Sequence, residues 1–204
     1  MLAKTTISKI PVLFVTGNAN KLKEIREITS DVLEVSQLDI DLPEYQGIPE
    51  EVAMEKAKTA WAQVKRPLLT EDTSLCFNAY GGLPGAYIKW FLQNLKPEGL
   101  FKMANAFEDR SAYAQTIISY VYSDTEPAVQ FVGQTQGTIV EPRGGKGFVG
   151  GWDPCFEPND TGKTYAEMES QEKNLISHRG KAVAKMIEYF RNLEKPVEKK
   201  LKED

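Results

Sequence analysis

The sequence predicts an α/β fold, and three observations support this. An unbroken apolar run at 12–15, β-branched at both ends, is typical of a strand that is buried on both faces. A glycine turn follows this run and leads into a segment with helical periodicity at 20–28. Helical segments then alternate with segments of strand composition along the chain, which favours a sheet covered by helices.

The composition is that of an ordinary globular protein with one domain or two small lobes. Of the 204 residues, 41% are hydrophobic and 26% are charged. The net charge of −4 argues against a general nucleic-acid-binding surface, so any phosphate site must be local. Cys76 and Cys155 are expected to be reduced thiols, because no secretory signal is recognisable. No apolar run approaches transmembrane length, so we expect a cytoplasmic protein that binds neither nucleic acid nor membrane.

The stretch from Pro11 to Glu27 joins the first predicted strand to the first helix. Gly17 in the turn is expected to adopt a positive φ, which Asn18 also tolerates. Such a turn directs backbone N–H groups and the positive end of the helix dipole at a ligand, and Lys21 adds a full charge. Two interpretations stay open, a phosphate site or a loop that only turns the chain. Neither a Walker A motif nor G-x-G-x-x-G occurs in the sequence.

A second short strand is predicted at 33–40, and a helix is predicted to begin at Pro49. The apolar stripe of this helix predicts that it faces the core, through Ala53, Ala57, Ala60, Trp61 and Val64. A strand at 67–70 then runs into Glu71 and Asp72. Acidic side chains at the carboxyl end of a strand are typical of metal or base groups, and a turn cap is the alternative.

Two helices and a hairpin are predicted in the middle of the chain. The glycine-rich segment 81–85 either approaches a ligand closely or connects two lobes. The helix after it carries Lys89 on its outer face and is expected to bury Ile88, Phe91, Leu92 and Leu95. A further short helix is predicted at 97–105. Strands at 111–124 and 128–140 form the hairpin, and the glycines of the second strand indicate a bulge or a close approach.

Five glycines lie in the loop from Pro142 to Gly151, which is expected to be mobile and to border a site. Trp152 and Phe156, which follow this loop, are predicted to anchor the core. Another helical region is predicted from 164 toward 173.

Ser177 is a suitable N-cap for the last helix, which places His178 and Arg179 in its first turn. Cations there oppose the helix dipole, so a further role is plausible. His178 is the only histidine, which excludes a metal site built from several histidines. Residues 1–193 are predicted to form one domain, and 194–204 a charged, disordered tail.

Four separated stretches, in this order, resemble the inosine triphosphate pyrophosphatase family. They are Thr16-Gly17-Asn18 with Lys21, Glu71-Asp72-Thr73 with Leu75, Gly151-Trp152-Asp153-Pro154 with Phe156, and Ser177-His178-Arg179. Each motif alone is a weak signal, but the four together extend the match over nearly the whole chain to about Phe190. The segments 41–47 and 81–85 look especially like those of the eukaryotic members. The resemblance implies a hydrolase that converts ITP, dITP and XTP to the monophosphate and pyrophosphate. It also implies an elongated fold with a central mixed sheet, two lobes around a nucleotide cleft, and a homodimer.

The resemblance assigns roles to the matching residues. Asp72 is the implied general base and, with Glu44, the implied ligand of Mg²⁺, for which Mn²⁺ is an alternative. Lys21 is implied in catalysis as well as in triphosphate binding. The residues implied to bind the nucleotide are Thr16, Gly17, Asn18, Lys21, Lys56, Thr73, Lys89, Trp152, Asp153, Lys173, His178 and Arg179.

The sequence departs from the family pattern at one position. Family members usually have Phe-Gly-Trp/Tyr-Asp-Pro, with the phenylalanine stacked on the base, but here Gly150 stands at that position. We expect Val149-Gly150 to be an insertion and Phe148 to stack on the base. Weakened stacking is the alternative.

The chemistry agrees with this resemblance. Attack of water on the α-phosphorus requires positive charge on the phosphates, which Lys21 and a carboxylate-bound Mg²⁺ can supply. A donor such as Arg179 would pair with the 6-oxo group of hypoxanthine and be left unpaired by adenine. Two alternatives are a nucleotide pyrophosphatase of different or broader base specificity and a non-catalytic nucleotide-binding module. The presence of Lys21, Glu44 and Asp72 argues against the second.

Overall fold

The computed structural model describes residues 9–144 and 151–193 and contains one seven-stranded mixed sheet. The strand order is β2-β1-β3-β5-β6-β7, and β4 also pairs with β3. The strands are β1 (Ile10–Val15), β2 (Leu33–Leu38), β3 (Leu68–Phe77), β4 (Pro84–Gly85), β5 (Ser111–Val121), β6 (Val129–Ile139) and β7 (Phe156–Pro158). The helices are α1 (Ala19–Thr29), α2 (Pro49–Val64), α3 (Ile88–Ala104), α4 (Ser170–Ile176) and α5 (His178–Leu193). The predicted α/β fold with a central mixed sheet is confirmed.

The direction of the strands changes at β3. β1 is parallel to β2 and to β3, because α1 and α2 connect these strands as crossovers. β3, β5, β6 and β7 are antiparallel neighbours, and β5 and β6 form the predicted hairpin. No helix within the described ranges is long and apolar enough to cross a membrane. The loop at 145–150, with Phe148, and the tail at 194–204 lie outside the described residues.

Three clusters of buried apolar side chains attach the helices to the sheet. On one face, α1 and α5 pack on β1 and β3 through Phe14, Ile25, Leu69, Val183 and Phe190. On the other face, α2 packs through Leu13, Val15, Ala57, Ala60 and Leu68. The third cluster joins α3 to the far half of the sheet and includes Leu75, Leu100, Trp152, Phe156 and Tyr165. The prediction that Trp152 and Phe156 anchor the core is therefore confirmed.

The segment 88–105 differs from the prediction of two separate helices. It is one helix with a kink at Lys96, where φ is 59°. Pro97 explains the kink, because a proline disfavours helical backbone at the preceding residue. Leu95 was predicted to be buried, but it lies next to the kink and is 39% exposed. A second difference lies at 164–173, where a short 3₁₀ turn precedes α4 in place of one continuous helix.

Gly133 on β6 allows α5 to approach the sheet closely, and no bulge interrupts the register of β5 and β6. A Cβ atom at Gly133 would lie 2.0 Å from the carbonyl oxygen of His178 and 2.4 Å from the amide nitrogen of Ala182. These atoms belong to the backbone of α5, which cannot yield as a side chain would. The prediction of a close approach is confirmed, and the contact fixes the first turn of α5.

We expect Gly133→Ala to lower the free energy of unfolding by roughly 3 kcal/mol, because α5 must move away from β6. Denaturant unfolding followed by circular dichroism measures this change. The control is Gln134→Ala, an exposed neighbour whose replacement should change stability by less than roughly 0.5 kcal/mol. Equal stabilities for the two variants would contradict the close-approach interpretation.

Candidate functional site

The site lies along one edge of β3, where the sheet leaves an opening. β5 pairs with β3 over its whole length on one side. On the other side, β1 reaches only Leu68 and Leu69, and β4 only Leu75 and Cys76. The edge of β3 between these two pairings is therefore not covered by a strand. The Lys21 ammonium donates a hydrogen bond to the backbone oxygen of Glu71 there, at 3.2 Å.

Glu71 and Asp72 lie in the middle of β3, not at its carboxyl end as predicted. The strand predicted at 67–70 ended too early, because the polar residues after it continue the pairing with β5. Successive side chains of a strand point to opposite faces, so the two acids are separated by the sheet. Glu71 contacts Arg179 of α5, and Asp72 contacts Lys56 of α2. Although Glu71 and Asp72 are adjacent in sequence, their side chains therefore have different surroundings.

Glu44 and Asp72 line one cavity of about 340 Å³, which we call the carboxylate cavity. Lys56 donates to Oδ1 of Asp72 at 2.8 Å, and Lys89 donates to Glu44. Burial raises the pKa of Glu44, but the hydrogen bond from Lys89 and the charge of Lys56 outweigh it and lower the pKa. Burial lowers the pKa of Lys56, but the charge and hydrogen bond of Asp72, together with the charges of Glu44 and Glu71, outweigh it and raise the pKa. Glu44 is thus held in the ionised form that a cation requires.

The residues of the carboxylate cavity fit a magnesium ion. Oδ2 of Asp72 is buried and has no hydrogen-bond partner in the described part of the chain, which is unusual for a buried carboxylate. No group of three or more acidic, histidine or cysteine side chains in residues 9–144 and 151–193 is arranged to hold a metal ion. Mg²⁺ commonly binds through one or two carboxylates and completes its ligands with water and substrate phosphate. Glu44 and Asp72 match that requirement.

The backbone around Glu44 is irregular, and side chains from two helical regions hold it. The hydroxyl of Tyr45 bonds to Thr59 of α2 at 2.5 Å. The amide of Gly47 donates to the hydroxyl of Tyr87 at 3.1 Å, and Tyr87 directly precedes α3. The segment around Glu44 therefore has a defined position at the carboxylate cavity.

A second, larger cavity of about 870 Å³ adjoins the first, and we call it the long cleft. Thr73 and Lys89 line both cavities, so the two are continuous. The predicted site residues that line the long cleft are Asn18, Lys21, Thr73, Lys89, Trp152, Asp153, Lys173, His178 and Arg179. The structure therefore brings together residues that are up to 161 positions apart between Asn18 and Arg179. Thr16 and Gly17 lie in the loop directly before Asn18.

The loop between β1 and α1 forms one end of the long cleft, but its geometry differs from the prediction. Gly17 does not have the predicted positive φ, and Asn18 has a φ of −94°. A side chain at Gly17 would instead collide with Asp39, whose Oδ1 would lie 2.7 Å from a Cβ atom. The side chain of Asn18 caps α1 by accepting from the amides of Asn20 and Lys21. Two of the amides expected to be free for phosphate are therefore used in the cap.

His178 lies at the other end of the long cleft between two aromatic rings. Its ring centroid is 5.3 Å from that of Trp152 and 5.7 Å from that of Tyr165. Its side chain is buried, and Nδ1 has no hydrogen-bond partner within the described ranges. Burial lowers the pKa of His178 well below its usual range, and the charges of Arg179 and Lys173 lower it further. His178 is therefore a neutral side chain at physiological pH.

The low pKa of His178 predicts a loss of stability in mild acid. Below pH of about 6.5 the unfolded chain binds a proton at this histidine and the folded chain does not, so stability falls as pH falls. We expect a loss of about 2 kcal/mol in unfolding free energy between pH 7 and pH 5. Denaturant titrations across this range measure it.

His178→Gln should remove most of this pH dependence, because the chain has no other histidine. Lys181→Met, an exposed change on the same helix, should retain it. A wild-type protein whose stability does not change between pH 7 and pH 5 would contradict a buried neutral His178.

Arg179 is buried and is bound by acidic side chains. Nε and Nη2 donate to the two carboxylate oxygens of Glu71, each at 3.0 Å, and Nη1 donates to Glu24 at 2.5 Å. These contacts use three of its five N–H groups. The pKa of Glu24 is lowered, because the charges of Arg179 and Lys173 outweigh the effect of burial. A contact of Arg179 with a nucleobase stays a prediction.

Sequence reasoning missed several residues that line the long cleft, among them Glu24 and Tyr165. Glu24 lies one turn after Lys21 and binds Lys173 at 3.2 Å. Its spacing of three from Lys21 was the available signal, because residues at i and i+3 share a helix face. Tyr165 was placed in a helical segment of unspecified face, and no local pattern indicated its contact with His178.

Comparison with known proteins identifies relatives over nearly the whole described chain. The model of the Ham1 family matches residues 12–189. A HAM1 protein from Coxiella burnetii is 29% identical, covers 90% of this chain and 99% of its own, and superposes with a TM-score of 0.79. The Ham1 protein of Staphylococcus aureus is 25% identical, covers 90% and 100%, and has a TM-score of 0.74. A protein from Mycobacterium abscessus described as a nucleoside-triphosphatase and dITP/XTP pyrophosphatase is 26% identical, covers 87% and 98%, and has a TM-score of 0.64.

Proposed function

The chain belongs to the Ham1 family of non-standard purine nucleoside triphosphate pyrophosphatases, and on that premise we propose that it hydrolyses ITP, dITP and XTP. The products are the nucleoside monophosphate and pyrophosphate. The arrangement of Glu44 and Asp72 carries this proposal, because two carboxylates, each held by a lysine, line a cavity continuous with the long cleft. A protein that only binds a nucleotide has no need of such a pair.

The triphosphate is proposed to lie where the two cavities meet. Lys21, Lys56 and Lys89 bring three positive charges to this region from α1, α2 and α3. Each ammonium already contacts a carboxylate, so the positive charge is in place before a phosphate arrives. Preorganised charge of this kind stabilises the negative charge that develops in the transition state.

Asp72 is proposed as the general base. Oδ1 accepts from Lys56, whereas Oδ2 has no partner in the described residues and is available to take a proton from water. Mg²⁺ held by Glu44 and Asp72 would add positive charge to the phosphate oxygens and lower the pKa of a bound water. Attack on the α-phosphorus by the water from which Asp72 takes the proton would separate pyrophosphate from the monophosphate.

The base is proposed to lie at the end of the long cleft formed by Trp152, Lys173 and His178. Hypoxanthine and xanthine present a 6-oxo acceptor, and adenine presents an amine donor. The Lys173 ammonium and the spare N–H groups of Arg179 are donors, which adenine would leave unpaired. A buried unpaired donor costs roughly 1–3 kcal/mol, which gives about tenfold to hundredfold selection per group.

Product analysis tests the reaction and the base selection together. The purified protein is incubated with Mg²⁺ and either ITP or ATP, and the phosphate products are separated. We expect inosine monophosphate and pyrophosphate from ITP, and little product from ATP. Inosine diphosphate and orthophosphate as products would mean cleavage at the γ-phosphate and would contradict the proposed reaction. Equal rates for ITP and ATP would contradict the proposed base selection.

Two further properties implied by the family resemblance, a homodimer and a cytoplasmic location, stay predictions. Sedimentation of the purified chain measures the first. A sedimentation coefficient of the 22.9 kDa single chain at micromolar concentration would contradict the dimer.

A further inference from the structure

Six charged side chains form a continuous series beside the long cleft, and all of them except Glu71 line it. Their order is Lys21, Glu71, Arg179, Glu24, Lys173 and Asp153, and the sign of the charge alternates at each step. Adjacent members are 2.5 to 3.2 Å apart. No side chain in the series is more than 20% exposed. The series connects the phosphate end of the cleft with the base end.

Glu71 is the link between the two ends, and it does not itself line either cavity. Oε1 accepts from Nη2 of Arg179 and from the hydroxyl of Thr73, each at 3.0 Å, and forms an ion pair with Nζ of Lys21 at 3.2 Å. The Lys21 ammonium donates its hydrogen bond to the backbone oxygen of Glu71. Oε2 accepts from Nε of Arg179 at 3.0 Å. The side chain is fully buried. Glu71 therefore acts on a ligand only through the residues that it holds.

The sharing of Oε1 makes the positions of Lys21 and Arg179 interdependent. A phosphate that attracts the Lys21 ammonium removes one of the positive charges next to Oε1. The carboxylate is then left to Arg179 and Thr73, and its bidentate hold on the guanidinium becomes stronger. Occupancy of the phosphate end would thus strengthen the hold on a side chain at the base end, which Glu71 and Glu24 already orient.

We propose that Glu71 is a positioning residue that couples phosphate binding at Lys21 to base selection at Arg179. This inference rests on the proposed function, because it takes the base and the triphosphate to lie at the two ends of the long cleft. It adds a residue that contacts neither part of the substrate. It also explains why an acidic side chain is fully buried in the middle of β3, where an apolar side chain would need no charged partners.

The neutral isostere Glu71→Gln tests the coupling. We expect the ratio of kcat/KM for ITP to that for ATP to fall at least tenfold, mainly through a higher KM for ITP. The inhibition constant of inorganic tripolyphosphate, which has no base, should change less than threefold. The Lys21 ammonium is still present in this variant, and the carboxylate that competes with phosphate for it has been removed. An unchanged ITP/ATP ratio, or an equal loss for ITP and tripolyphosphate, would overturn the proposal.

A structural control separates positioning from general destabilisation. Met186→Ala removes a buried side chain of α5 outside the cleft, and it should lower the melting temperature without changing the ITP/ATP ratio. Glu71→Asp retains the charge but shortens the reach, and it should give an intermediate ratio.

If both variants at Glu71 fail to fold, Lys21→Met tests the same coupling from the phosphate end. It should change the ITP/ATP ratio at least threefold, because Lys21 and Arg179 both contact Oε1 of Glu71. An unchanged ratio would overturn the coupling. Wild-type hydrolysis of ITP is measured first, so a failure of the proposed function is seen separately from a failure of this inference.

Discussion

Asp72→Asn is expected to lower kcat for ITP by roughly 10²- to 10⁴-fold, while the protein remains folded. The amide has the shape of the carboxylate, and its oxygen can still accept from Lys56, so the packing around β3 is retained. It has no negative charge and cannot take a proton from water. Initial rates with ITP and excess Mg²⁺ measure the loss, and the melting temperature shows that the fold is intact.

Asp124→Asn is the matched control for this variant. Asp124 is an exposed aspartate that binds Lys65 and Trp61, at a distance from both cavities. We expect this change to leave kcat within twofold of wild type. Retention of wild-type rates by Asp72→Asn would show that another group takes the proton.

Arg179→Met is expected to lower the free energy of unfolding by roughly 3 kcal/mol or more. Removal of one partner of a buried ion pair leaves the other charge without compensation, and Glu71 would keep only Lys21 and Thr73. For a chain of this size, that loss corresponds to a melting temperature lower by roughly 10 °C. Differential scanning calorimetry measures the change.

Lys181→Met provides the comparison on the same helix. Lys181 is exposed and donates to the backbone oxygen of Gln134. Its replacement should change stability by less than roughly 1 kcal/mol. If Arg179→Met and Lys181→Met were equally stable, the buried ion pairs of Arg179 would not contribute to the fold.

Local patterns in the sequence were sufficient for most of the fold. The apolar run before Gly17 and the period of α1 and α2 located these elements within a few residues. The β5–β6 hairpin was predicted from its alternation. The extent of β3 was underestimated, because Glu71 and Asp72 are polar residues in a strand and their burial depends on partners in α2 and α5. A strand that carries charged side chains on both faces has no apolar alternation to indicate it.

The residues of the candidate site came from the family resemblance, whereas their contacts came only from the structure. The resemblance supplied Lys21, Asp72 and Arg179, and the structure places them around two continuous cavities. The opposite directions of Glu71 and Asp72 follow from strand geometry, which required the strand to be recognised first. The pairing of Glu24 with Lys173 joins residues 149 positions apart. No local pattern predicts such a contact, because it depends on how α1 and α4 are placed by the fold.

Hydrolysis of ITP in water enriched with ¹⁸O tests the central claim most directly. If Asp72 deprotonates a water that attacks the α-phosphorus, one labelled oxygen enters inosine monophosphate and none enters pyrophosphate. Mass spectrometry of the two products after a single turnover distinguishes the possibilities. Label in pyrophosphate would place the attack on the β-phosphorus, and label in orthophosphate would place it on the γ-phosphorus. Either result would contradict the proposed reaction.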